Sequence, residues 1–187
     1  MSALSSWHTR ANALTALRGV AAPALAAAIC TGESVVALAL YAVAVASDFA
    51  DGWVARRYGE ASPLGGLMDH AVDAAFVSIG CAALASRGVL PAPLPVLIAL
   101  AFTQYAVDSR VGPSRPLRAS ALGRWNGIAY YVAVAVPVVR DALELGWPSP
   151  GAVLGLGWLL VASTALSMAD RGWASRRRGP PDHKSAI

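Results

Sequence analysis

The sequence predicts an all-α integral membrane protein: six transmembrane helices preceded by a short interfacial segment. Three observations carry that prediction. Of the 187 residues, 56% are hydrophobic and only 14% are charged. The apolar residues fall in long runs, not in the alternation of strands or the narrow stripes of helices around a soluble core. Finally, once the runs are counted as six spans, the Lys and Arg residues fall almost entirely on one side of the bilayer.

The polar stretch Met1 to Arg10 has no secretory cleavage site behind it, and Leu4 and Trp7 give it two apolar anchors, so residues 1–10 read as an interfacial segment. Scanning for stretches of about 20 apolar residues yields Ala11 to Cys30, Ser34 to Arg56, Gly65 to Ser86, Ala92 to Asp108, Asn126 to Val139 and Gly151 to Ala169. The first is interrupted by Arg18 and Pro23. The fifth is short unless it extends toward Leu122 or Leu143, which makes five spans the fallback count. Together these runs form a membrane domain over residues 11–170, followed by a basic tail over 171–187. Trp7, Trp125, Trp147 and Trp173 lie near span ends, as residues of the aromatic belt do. Cys30 and Cys81 sit in separate apolar runs without ligand spacing and read as small buried hydrophobes.

The positive residues set the orientation. With six spans, Arg87 and Arg140 fall on one side and the other thirteen Lys and Arg residues on the opposite side. The richer side is expected to be cytoplasmic, and it carries both termini and the loops around Tyr58 and Pro113. The outer turns are then Thr31 to Glu33, Arg87 to Pro91 and Asp141 to Pro150, where Gly and Pro interrupt the helical pattern. Five spans would put the Arg171 to Arg178 cluster outside, which the same rule disfavours. The net charge of +4 does not point to nucleic acid, because the basic residues flank apolar runs and form no basic-aromatic groove. Anionic lipid headgroups are the expected partners.

Four aspartates stand out. A carboxylate inside a membrane helix costs about 2.5 to 3.5 kcal/mol even on lenient insertion scales, so it usually faces a partner or a cavity. Asp48 and Asp51 are three apart near the end of the second span, and Asp69 and Asp73 are four apart near the start of the third. Each pair therefore lies on one helix face, and a turn of about eight residues makes the two helices antiparallel neighbours whose acidic faces can meet. Such a cluster repels itself at low dielectric unless cations neutralise it. All-oxygen ligation without cysteine suits Mg²⁺ or Mn²⁺, and four carboxylates suffice for two ions. The plainer alternative is that the aspartates are ion-pair partners of Arg18, Arg56 and Arg57. Gly52, Ala55, Gly65 and Gly66 leave backbone open beside the acids, where a bulky diphosphate can approach, although helix packing explains small residues equally well.

The pattern Asp48-x-x-Asp51-Gly52-x-x-Ala55-Arg56, then eight residues, then Gly65-x-x-x-Asp69-x-x-x-Asp73 resembles the signature of the CDP-alcohol phosphotransferase family at every fixed position. Upstream, Asn12-x-Leu14-Thr15-x-x-Arg18 with Pro23 is similar to the family's first-span segment, with Ala11 where proline is usual. The close likeness covers about the first 75 residues. The resemblance implies a six-helix membrane fold, a homodimer and a dinuclear Mg²⁺ or Mn²⁺ site open to the cytoplasm. It makes Asp48, Asp51 and Asp69 metal ligands, and Asp73 both ligand and general base. It lays Gly52, Ala55, Arg56 and Gly65 along the donor nucleotide and diphosphate. The implied reaction moves a phospho-alcohol group from CDP-diacylglycerol or a related CDP-alcohol to a small alcohol acceptor, with release of CMP.

Arg110, Arg115, Arg118 and Arg124, ahead of the fifth span, are candidates to clamp a phosphorylated acceptor; setting topology is an equally good account of them. The acceptor reading leans to glycerol 3-phosphate, with inositol phosphate or another alcohol as the alternative. A cation transporter is the rival from another class, since intramembrane carboxylates also mark ion pathways. Against it, the acids cluster at one end of the spans and no inverted repeat is visible. His70, one position from Asp69, is expected to point about 100° away from the acidic face.

Overall fold

The computed structural model describes residues 10–58, 63–111 and 121–176. Among them six helices follow one another: α1 (Arg10–Thr31), α2 (Ser34–Tyr58), α3 (Pro63–Ser86), α4 (Pro93–Val111), α5 (Ala121–Ala142) and α6 (Pro150–Arg176). No described residue is in a strand. Each expected span has its helix. The fifth run, with its short apolar centre, extends in both directions to 22 residues. The first is continuous through Pro23, which lacks the N–H that would bond the Gly19 carbonyl. Helix α6 runs on to Arg176, so the start of the segment expected as a tail is helical.

Three helices are long and apolar enough to cross a membrane, over Ser34–Asp51, Gly65–Ser86 and Pro150–Trp173. Helices α1 and α4 carry shorter apolar stretches, Thr15–Thr31 and Pro93–Asp108. The direction of the apolar side chains agrees with a lipid surround. Phe49, Val20 and Leu159 are 75%, 71% and 70% exposed, far too outward for a core role in water. Trp125, Trp147 and Trp173 are exposed as well.

The turns at one end are closed by a recurring device. Gly32 (φ 81°) follows α1 and Gly88 (φ 71°) follows α3, each in the left-handed region that glycine enters without strain. The next amide then reaches back to the helix: Glu33 N–H donates to Ala28 at 2.9 Å, and Val89 N–H to Leu84 at 3.0 Å. After α5 the same geometry falls on Glu144 (φ 51°), with Leu145 N–H donating to Arg140 at 2.9 Å. These turns coincide with the three expected outer turns, and the aspartates lie at the opposite end.

Helix α1 packs on α2 and α3, α3 on α4 and α5, and α5 on α2 and α6, while α4 closes against α6. The core is built from small and branched residues, among them Ala22, Leu25, Ala44, Phe76, Cys81, Leu94, Val134 and Val153. Alanines along α1 and α2 let those backbones approach closely. Cys81 is buried as expected; Cys30 is not, because it lies on the outward side of α1.

Gly157 marks the tightest approach. A Cβ there would collide with the Pro91 ring and sit 3.1 Å from Leu90 Cδ2, whereas a Cβ on Gly155, two residues earlier, meets nothing described within 4 Å. Gly157→Ala is therefore expected to destabilise by about 1–3 kcal/mol and Gly155→Ala to change little. Thermal unfolding of the two variants in one detergent checks the contrast.

Candidate active site

Helices α1, α2 and α3 bring their polar residues together at one end of the bundle. Asp48 and Asp51 project from the last turns of α2, and Asp69 and Asp73 from the early turns of α3. Their meeting follows from the spacing, since residues three or four apart share a helix face. Between the two faces lies Arg18 of α1, a fully buried side chain. Its Nη1 pairs with Asp48 and, at 2.5 Å, with Asp73; its Nη2 pairs with Asp51 at 2.6 Å and Asp69 at 2.7 Å. Thr15, one turn earlier on α1, donates to Asp51 Oδ2 at 3.3 Å.

Burial is graded across the four acids. The Asp51 side chain is 6% exposed and that of Asp48 36%, with Asp73 and Asp69 between them. Asp51 thus forms the floor of the site and Asp48 its open side. Four carboxylates around one guanidinium carry a formal charge of −3. Even at an effective dielectric of about 20, two like charges 4 Å apart repel by about 4 kcal/mol. Further positive charge would relieve that repulsion.

The donor set fits a divalent cation. Asp48, Asp51 and Asp69 offer carboxylate oxygens within 4.8 Å of one another, and Asp69, His70 and Asp73 form a second such group. Oxygen-rich sites of this kind suit hard cations. The side-chain pairing with Arg18 is also the ion-pair arrangement weighed against a metal in the sequence, although one guanidinium offsets only a quarter of the carboxylate charge. Beside the acids, a Cβ on Gly66 would meet nothing within 4 Å among described residues, so the start of α3 leaves room for a bulky ligand.

A cavity of ≈550 Å³ opens from Asp48 and Asp73 between α3, α4, α5 and α6. Its walls are largely apolar, including Val77, Ile98, Phe102 and Ile128, with a polar rim of His70, Tyr105, Arg124 and Arg171. The Arg171 guanidinium lies 5.8 Å over the Tyr105 ring. Ser163 donates to Asn126 Oδ1 at 2.6 Å. Tyr131 donates to Asp73 Oδ1 at 2.8 Å.

Residues 8–168 match the family model for CDP-alcohol phosphatidyltransferase. The chain belongs to that family. It is also 28% identical, over 143 residues, to a CDP-diacylglycerol–glycerol-3-phosphate 3-phosphatidyltransferase of Cereibacter sphaeroides. That alignment covers 71% of this chain and 64% of the relative, so the chain spans less than two thirds of the relative's length. No solved structure matches the chain. Within this membrane-enzyme family, the acidic cluster at the mouth of the cavity is the candidate active site.

Of the sequence-derived site residues, the structure brings together Asp48, Asp51, Asp69 and Asp73, and it places Arg124 on the cavity rim. Gly65 lies on the first turn of α3. The surroundings of Gly52, the side chains of Ala55, Arg56 and Arg110, and all of Arg115 and Arg118 lie outside what the structure describes. His70 departs from expectation. It is three residues from Asp73, and its ring reaches the cavity and the Asp69–Asp73 cluster in spite of the turn away from Asp69. Arg171 and Tyr131 had no site role in the sequence reading; the i, i+3 spacing from Asp73 was the signal for His70, and neither of the others had one.

The crowding on Arg18 has a measurable consequence. Arg18→Gln is expected to cost about 3 kcal/mol in chelator, at the low end for a broken buried ion pair because three of its partners are partly exposed. Added Mn²⁺ should recover most of that loss. Equal thermal midpoints for Arg18→Gln and the parent chain in chelator would show that the guanidinium does not hold the cluster.

Proposed function

We propose that the chain is a CDP-alcohol phosphotransferase that moves a phosphatidyl group from CDP-diacylglycerol to glycerol 3-phosphate and releases CMP in phospholipid synthesis. The observation that carries this reading is the convergence of four motif aspartates at the mouth of a cavity large enough for a small acceptor. Family membership supports the donor class, and the relative from Cereibacter sphaeroides supports the acceptor.

The site divides the work. Asp48, Asp51, Asp69 and Asp73 would hold Mg²⁺ or Mn²⁺, two ions in the fullest case, which when bound supply positive charge against the diphosphate oxygens. Asp73 takes the proton of the acceptor hydroxyl. The hydroxyl oxygen then bonds to the β-phosphorus, the bond from that phosphorus to the oxygen bridging the CMP portion breaks, and CMP leaves with the electron pair. Gly52, Ala55, Arg56 and Gly65 line the donor's nucleotide and diphosphate. The acceptor phosphate is held by Arg124 on the rim, together with Arg110, Arg115 and Arg118. The apolar cavity wall excludes water, which would otherwise compete as acceptor.

The same reading places the protein in its membrane. All six helices span, with the active site, both termini and the basic residues on the cytoplasmic side; the outward apolar side chains and the arginine asymmetry support it. The six helices form the catalytic domain, which takes in Arg171 from the segment first read as a tail, and the basic residues beyond it would face lipid phosphates. The functional unit is a homodimer, as the family resemblance implies.

The test is CMP release from CDP-diacylglycerol by the purified protein, with glycerol 3-phosphate, inositol phosphate, inositol or serine offered separately. Metal-dependent release with glycerol 3-phosphate is expected, and chelator should abolish it. Asp73→Asn should lower turnover by about 10²–10⁴-fold while donor binding persists, whereas Asp51→Asn or Asp69→Asn should weaken Mn²⁺ and donor binding together. Full turnover in Asp73→Asn would remove the base assignment, and cation flux into liposomes without CMP release would favour a transporter.

A further inference from the structure

Asp73 Oδ1 accepts two hydrogen bonds of different character. One, from Arg18, is shared with three other carboxylates. The other comes from the Tyr131 hydroxyl, whose described hydrogen-bond partner is Asp73 alone. We propose that Tyr131 is a positioning residue for the reaction: its hydroxyl fixes the Asp73 carboxylate so that Oδ2, to which no described residue donates, is the oxygen offered to the acceptor. The proposal rests on the reading of Asp73 as the general base.

The surroundings hold the Tyr131 phenol in place from two neighbouring helices. Its ring stacks on Phe76, with centroids 6.0 Å apart and planes 22° apart. Phe76 is fully buried and lies three residues beyond Asp73, on the same face of α3. Tyr41 of α2 packs on Phe76 at 6.2 Å and donates through its hydroxyl to the Tyr131 backbone carbonyl at 3.0 Å. The phenol is therefore fixed at its backbone by α2 and at its ring by α3, and its hydroxyl returns to α3 at Asp73. A tyrosine has only two side-chain torsions to lose, so this closed loop is a rigid support at low entropic cost.

The geometry matters because a carboxylate on a helix can turn about its side-chain torsions. Arg18 also donates to Oδ1, but its donors are divided among four acids from both faces. A donor dedicated to Oδ1 occupies that oxygen and settles which one remains for the acceptor's proton. Tyr131 lines the cavity beside Asp73, so it does this at the place where the acceptor hydroxyl must arrive.

Tyr131→Phe removes the hydroxyl and keeps the stack on Phe76. At saturating Mn²⁺ it is expected to lower kcat about 10- to 100-fold, with KM for donor and acceptor and calorimetric binding of CDP within twofold of the parent. In an Asp73→Asn background the same change should lower the residual rate no further, because Tyr131 acts through that carboxylate. Tyr41→Phe, which leaves the phenol on Asp73 but frees its backbone anchor, should lower kcat less than Tyr131→Phe does. An unchanged kcat in Tyr131→Phe overturns the proposal and leaves the base assignment intact. Weakened CDP binding and raised KM with kcat preserved also overturn it, since they describe a purely structural cross-link. Undiminished turnover in Asp73→Asn removes the base assignment and this proposal with it.

Discussion

The pairing of one buried guanidinium with four carboxylates organises this protein. Arg18 is fully buried on α1, and its partners come from α2 and α3, the two helices on which α1 packs most closely. A buried arginine without these acids would be an uncompensated charge in an apolar bundle, and the acids without the arginine would repel one another. Neither is tolerable alone. The cluster thus fixes how α1, α2 and α3 face each other at one end of the bundle, while tight turns at Gly32, Gly88 and Glu144 fix the other end.

That constraint leads on to function. One guanidinium leaves most of the carboxylate charge unmatched, and the partly exposed Asp48 and Asp73 line the cavity. The helices hold the acids together at a cost, and on the proposed function the residual negative charge would hold the cations that a diphosphate substrate requires. Helices α4, α5 and α6 supply what the cluster lacks: an apolar chamber, cationic groups at its rim and the phenol that contacts Asp73. The division is between a charged half that holds the reacting groups and an apolar half that shapes access to them.

Much of this was legible in the sequence, for identifiable reasons. Carboxylates inside apolar runs are costly, so Asp48, Asp51, Asp69 and Asp73 stood out, and helical spacing was enough to place them on facing surfaces. Helix limits followed from apolar runs ending at Gly and Pro; the turn at Glu144 did so too, although the left-handed residue there is not glycine. The fifth helix was legible only in its apolar centre, because its first turns carry Arg124 and Asn126 toward the cavity, where polar residues are tolerated. His70 was misplaced because its angle was judged against Asp69 alone, while its spacing to Asp73 puts it near the cluster. Tyr131 was invisible: a tyrosine in an apolar helix reads as packing, and its partner lies 58 positions away.

The proposed function requires that the aspartate cluster bind cations. Titrating the purified protein with Mn²⁺, and following free ion by its electron paramagnetic resonance signal, tests it most directly. The account requires saturable binding of up to two ions per chain, lost or weakened in Asp51→Asn, which removes the most buried carboxylate. A protein that binds no Mn²⁺, or binds it equally well after that substitution, would contradict the account and leave the aspartates as the ion-pair partners of Arg18.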